Sequence, residues 1–216
     1  MSSQQALLEQ RTIQNTDQGI HMMQAGNYRS AIGIFSGVLG EIKHCLVEAG
    51  EGSGESSGMS LDACMSQIDM VDDNEEESLY LYDQVIRMPA DLKLDYTGAV
   101  VASAVVMFNL ALAYQKSATT LNDLKKSAKL YELACNLLLR QESCMIVSTM
   151  FTLAAVNNMG LVFQQMNDAV TAKKCFEQSM SIMMLMVDHG HEHASLDGFL
   201  MNASTVNFNA NPAAAA

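Results

Sequence analysis

An all-α fold is what this 216-residue chain predicts, and three observations carry the prediction. Only two prolines interrupt it, Pro89 and Pro212, while Ala, Leu, Met and Gln, all good helix formers, are abundant. Apolar residues recur at helical spacing, at Leu124, Ala128, Tyr131, Cys135 and Leu138 and again at Ala172, Cys175, Phe176, Ser179, Met183 and Met186. Turns whose Asn or Asp can cap the next helix fall at Ala25-Gly26-Asn27, Thr119 to Asp123 and Met166-Asn167-Asp168. With 49% hydrophobic residues, a chain of this length can bury a sizeable core, and about 6–7 helices in one domain are expected.

From the N-terminus, residues 1–48 hold a first helix pair, from about Gln4 to Glu48. Residues 49–77 form an acidic Gly/Ser-rich insertion; Gly50 to Gly58 has the composition of a flexible linker, and too little apolar surface follows to order the stretch. It is expected to be disordered and dispensable for folding. Residues 78–95 read as an extended connector, 96–203 as further helix pairs reaching about His189, and 204–216 as a disordered tail.

The net charge of −12 is local, because eleven of the 24 acids lie between Glu48 and Asp83 with no Lys or Arg among them. The rest of the chain is near neutral. It offers no basic stripe to neutralise phosphates, so nucleic acid is not an expected partner. Five scattered cysteines without a C-x-x-C pair, behind the polar start MSSQQALLEQR, point to reduced thiols in a cytoplasmic or nuclear protein. Two uncharged stretches, Gly98 to Gln115 and Ser143 to Asn167, are long enough to raise the question of a membrane span. In the second, Asn157, Asn158 and Gly160 would sit mid-bilayer, where unpaired amides are costly, and no membrane association is expected.

Three segments superimpose, each with a small residue in one helix and an A-x-x-x-F-like pair in the next. The first has Gly19 and Met22, then Ala31 and Phe35. The second has Leu110, Ala111 and Tyr114, then Ser127 and Tyr131. The third has Met159, Gly160 and Phe163, then Ala172 and Phe176. Small residue to small residue is 12 positions in the first and third and 16 in the second, which places four extra residues in the second turn. Small residues let paired helices approach closely, and aromatics fill the gap between pairs.

These are the L-G-x-x-Y and A-x-x-x-F elements of the tetratricopeptide repeat, and NNMGLVFQQMNDAVTAKKCFEQSM, GIHMMQAGNYRSAIGIF and FNLALAY resemble that family. The resemblance covers roughly Thr12 to Leu39 and Val101 to Met186. The chain departs from the pattern in having no tryptophan, no closing proline after a repeat, and 49 residues between Ala111 and Gly160 against about 34 in the standard unit. Helices about three turns longer would absorb the difference.

The resemblance implies a right-handed α-solenoid of antiparallel helix pairs. Its first helices, within Asn15 to Met23, Val105 to Gln115 and Val156 to Gln164, would line a groove holding a peptide or partner segment. Asn15, Asn109, Asn158, Gln115 and Gln164 are the candidate partner-binding residues. Similar asparagines hold the ligand backbone in some members; the plain alternative is an Asn bonding the adjacent helix. The family's best-known subclass clamps a C-terminal carboxylate with Lys, Arg and Asn, but Thr16, Ala154 and Asn158 stand at its basic places and only Asn109 fits.

The run Asp188 to His193 alternates imidazoles, so His189, His191 and His193 are weak metal candidates, and no metal or other cofactor is expected. Met180, Met183, Met184 and Met186 read as core more than as an adaptive partner surface. No phosphate loop, nucleophile elbow, H-E-x-x-H or dinucleotide fingerprint occurs, and Glu75 to Glu77 is a charge run, so catalysis is not expected. The expected function is a protein-interaction adaptor; the alternative class is a small-molecule- or metal-responsive helical sensor. Finally, charged residues are 17% of the chain against about 25% typically, and the uncharged runs include first helices of the repeats. Something should cover them, and Leu79 to Met88, apolar and tethered just ahead of the second repeat, is the expected cover. A homodimer burying the same surface is the competing explanation.

Overall fold

The computed structural model describes residues 3–49, 79–139, 147–188 and 196–208. Among them are seven helices and no strand: α1 (Ser3–Gln24), α2 (Tyr28–Ala49), α3 (Tyr96–Ser117), α4 (Leu121–Leu139), α5 (Val147–Gln165), α6 (Ala169–Asp188) and α7 (Asp197–Phe208). The all-α expectation holds. Each helix packs chiefly on the one before and the one after it in the chain. Helix α7 runs to Phe208, past the tail boundary drawn at 203/204. The insertion from residue 50 and the His189, His191 and His193 cluster lie outside the described residues.

Local chemistry sets the helix starts. Asn27, Asp95, Thr120 and Asp168 each accept the N–H of the third helical residue, at 3.3, 2.8, 3.2 and 3.1 Å respectively. Two of the turns have the same geometry. Gly26 (φ 71°) and Asn167 (φ 59°) adopt the left-handed conformation, and Asn27 and Asp168 return N–H bonds to the Met22 and Phe163 carbonyls at 2.8 and 2.9 Å. This satisfies carbonyls that the helix end leaves open.

Within the pairs the small residues do what their size permits. A Cβ at Gly19 would fall 2.5 Å from the Phe35 ring, and one at Gly160 would fall 2.8 Å from the Phe176 ring. In the middle pair the Ser127 hydroxyl donates to the Ala111 carbonyl at 2.8 Å, next to buried Tyr131. The extra residues of this pair are not in its turn. Three residues separate α3 from α4, as they separate α1 from α2 and α5 from α6. The additional four extend the two helices instead, one residue at the end of α3 and three at the start of α4.

Helix α3 is long and apolar enough to cross a membrane, yet 89% of its most apolar window is buried inside the fold. Neighbouring helices cover one side of it, and the chain from residue 79 to 94 covers another. The α6 methionines divide: Met183 and Met186 are buried, Met180 is half-buried, and Met184 is exposed.

Candidate functional site

Residues 79–94 are not helical, and from Tyr80 to Met88 the fully buried side chains all fall at even positions. Tyr82, Ile86 and Met88 are buried and Tyr80 is half-buried, whereas Asp83 is exposed. This period of two is that of an extended chain. Such a chain needs partners for its main-chain N–H and C=O groups, and a buried one cannot take them from water. No neighbouring strand supplies them here.

Asparagine side chains supply them instead. Asn109 of α3 accepts the Ile86 N–H at 2.9 Å and donates to the Ile86 carbonyl at 2.7 Å. On α5, Asn158 accepts the Tyr82 N–H at 3.0 Å and donates to the Tyr82 carbonyl at 2.8 Å. Asn202 of α7 does the same for Tyr80, at 2.8 and 2.7 Å, and Asn157 donates to the Tyr80 carbonyl as well, at 3.0 Å. A primary amide carries one acceptor and two donors. It therefore imitates the facing residue of an antiparallel strand, which exchanges both main-chain bonds with its opposite.

The amides are themselves fixed. All four asparagines are fully buried. Asn202 donates to Asn157 at 2.7 Å, and Asn157 to the Asn158 oxygen at 3.3 Å. Asn158 also donates to the Tyr131 oxygen at 3.2 Å, and the Tyr131 hydroxyl donates to Gln115 at 3.0 Å. Burial holds the Tyr131 phenol far above its ordinary pKa, so it stays a neutral link in this chain. At the far end of the segment, buried Glu9 of α1 accepts the Leu94 N–H at 2.9 Å. Two ion pairs lie outside this buried row, Lys116 with Asp83 at 2.8 Å and Arg87 with Asp17 at 3.1 Å.

The side chains of the segment fill aromatic surroundings. The Tyr80 ring meets Phe199 edge-on with centroids 5.0 Å apart and lies over Gly198, where a Cβ would fall 2.2 Å from the ring. Tyr82 stacks on Phe199 at 6.0 Å and meets Phe108 edge-on at 6.1 Å. Its hydroxyl is buried and has no hydrogen-bond partner among the described residues. Burial, with Tyr80 and Asp83 nearby, holds that phenol well above the ordinary value, so it is not an anion.

Asn109 and Asn158 thus meet on one segment. Asn15 does not join them: it is half-buried on α1 and holds none of the segment's main chain. Counted from the small residue, the α1 equivalent of Asn109 and Asn158 is Asp17, which pairs with Arg87. Gln115 supports the row through Tyr131, and Gln164 sits at the α5 turn, where its carbonyl accepts the Asn167 N–H at 2.9 Å. Asn157, Asn202 and Glu9 were not among the partner-binding candidates read from sequence. A signal for Asn202 exists, since Asn109-Leu110-Ala111, Asn158-Met159-Gly160 and Asn202-Ala203-Ser204 all read Asn-x-small.

Other chemistry is sparse. Burial pushes the Cys135 and Cys175 thiols up to about 12 and about 11, which suppresses the reactive thiolate. Among the described residues no group of His, Cys, Asp and Glu is placed to hold a metal ion. No family model matches the chain, nor does any curated protein or solved structure.

Proposed function

We propose that this chain is a non-catalytic adaptor of the tetratricopeptide type. In this reading it is a right-handed α-solenoid of antiparallel helix pairs whose concave face holds an extended stretch of a partner protein. One observation carries the reading: asparagines from α3, α5 and α7 each take both main-chain groups of one residue in an extended segment. A protein that only needed a packed core could cover these helices with another helix, whose main-chain bonds are internal. A row of amides spaced to receive an extended backbone is instead a means of peptide recognition, main-chain bonds giving affinity and side-chain pockets specificity. The close contacts of Gly19 with Phe35 and Gly160 with Phe176 support the repeat assignment.

Photo-crosslinking tests the reading. A photoreactive residue at position 116, beside the amide row, is expected to capture a partner's peptide stretch, and one at position 129, exposed on α4, is expected to capture none. Capture at 129 alone, or of the same proteins at both positions, would overturn the groove assignment.

A further inference from the structure

The amide row reads main-chain N–H and C=O groups of Tyr80, Tyr82 and Ile86, which an extended chain of any sequence offers. What the groove prefers is written in the places that receive side chains. The floor at Gly198 and the edge of Phe199 take a flat ring at 80. Phe108 and Phe199 take a second ring at 82. Lys116 complements an acid at 83, and Asp17 complements a base at 87. Position 86 is a fully buried aliphatic.

At position 82 the present occupant fits imperfectly. Tyr82 is 0% exposed, yet its hydroxyl finds no partner among the described residues. An unmatched buried hydroxyl carries a desolvation penalty that phenylalanine, of the same outline, avoids. The flanking ion pairs have side chains 25 to 50% exposed, and pairs of that kind contribute little. The segment is thus seated by a backbone any extended peptide could offer, with a ring that a competitor could improve on. Its advantage is the tether to α3, which raises its effective concentration.

We propose that the groove's external ligand is an extended peptide reading aromatic, apolar, Phe, acid, any residue, apolar, branched aliphatic, base, the apolar places being those where Leu81 and Val85 pack against the core, and that it binds by displacing Tyr80 to Arg87. This rests on the adaptor reading above and adds the ligand's chemistry to it. Because the groove is normally filled, the ligand's apparent affinity is its intrinsic affinity reduced by the fraction of chains with the groove open.

The test uses the full chain and three fluorescent peptides: residues 78–88, the same peptide carrying Tyr82→Phe, and a scrambled control. By fluorescence anisotropy the Phe peptide should bind saturably, the parent peptide about tenfold more weakly, as a buried unpaired hydroxyl implies, and the scrambled peptide not at all. Hydrogen exchange at the Tyr82 and Ile86 amides of the chain should quicken when the Phe peptide is added. In the chain itself, Tyr82→Phe removes one oxygen and should keep the fold, raise Tm and weaken peptide binding about tenfold, because the resident segment then seats better. Equal binding of all three peptides, binding of none, or binding without faster exchange overturns the proposal. So does finding that a second copy's residues 79–88 fill the groove, read as crosslinked dimers. If no peptide binds but position 116 still captures a partner, the ligand class falls and the groove stands; if both fail, both fall.

Discussion

A buried asparagine is hard to replace because its amide offers an acceptor and donors from one small plane. Asn109→Asp keeps the acceptor for the Ile86 N–H but faces the Ile86 carbonyl with a second oxygen, and Asn158→Ala leaves both main-chain groups of Tyr82 unpaired. Asn158→Ala should cost about 2–4 kcal/mol, the sum of two buried groups left unpaired, and Asn109→Asp about 1–3 kcal/mol for the one carbonyl it leaves unpaired, both read by urea unfolding. A loss below about 1 kcal/mol would show that the segment easily finds other partners. At Gly26 a Cβ would meet nothing within 4 Å, so Gly26→Ala isolates the cost of a left-handed turn. Roughly 1–2 kcal/mol is expected from that conformation alone. This scale was partly legible in the sequence. Asn109 and Asn158 stand out because the repeat register aligns them, whereas Asn15 was chosen by residue type and lies two positions from the register that Asp17 fills. Asn202 shares the Asn-x-small pattern but lies beyond the last A-x-x-x-F pair, so no second helix drew attention to it.

The elements were the most legible level. Cap residues and apolar periodicity are local signals, and helix α3 starts at Tyr96, after Asp95 and where the apolar run begins. The four extra residues of the middle pair were misplaced, since a spacing between two residues cannot say whether the added chain is helix or turn. Caps also give the helices a pH dependence. Asp168 accepts both the N–H and the hydroxyl of Thr171, and mainly the hydroxyl holds its carboxyl below the usual 3.8. A lowered folded-state pKa contributes stability above the unfolded value and loses it as pH falls through the folded one. The Tm gap between the native chain and Asp168→Ala should therefore be constant from neutral pH to about pH 5 and narrow below about pH 4. A gap unchanged at pH 3 would mean that the carboxylate charge has no part in the cap.

For the whole molecule, the extended segment changes what a row of helices would otherwise be. Helices that touch only their neighbours give a stability that adds up pair by pair. Here Tyr80 reaches Asn202 across 122 residues and Tyr82 reaches Asn158 across 76, joining helices that are not neighbours in the chain. Phe199 is the shared point, buried against both tyrosine rings. Phe199→Ala should cost about 3–5 kcal/mol, as other buried Phe truncations do, and should speed amide exchange at Tyr80 and Tyr82 along with that of α7. If α7 alone loosened, the segment would be held without it. That residues 79–88 lie across α3 and α5 followed from asking what covers uncharged helices; the amide ladder did not, because only the fold brings Asn157, Asn158 and Asn202 together.

The same long reach orders events on the ribosome. A growing chain presents residues 80–86 well before Asn158 and Asn202 have been made, and at about 5–20 residues per second the last holder arrives roughly 6 to 24 s after Tyr80. Asn109 follows Ile86 after only 23 residues, but until Asn158 and Asn202 are made the tyrosine end of this β-prone stretch has its backbone unmatched. A nascent chain is therefore at its most adhesive midway through synthesis, and pausing between residues 90 and 200 would lengthen the exposure, whereas a pause after 208 would not.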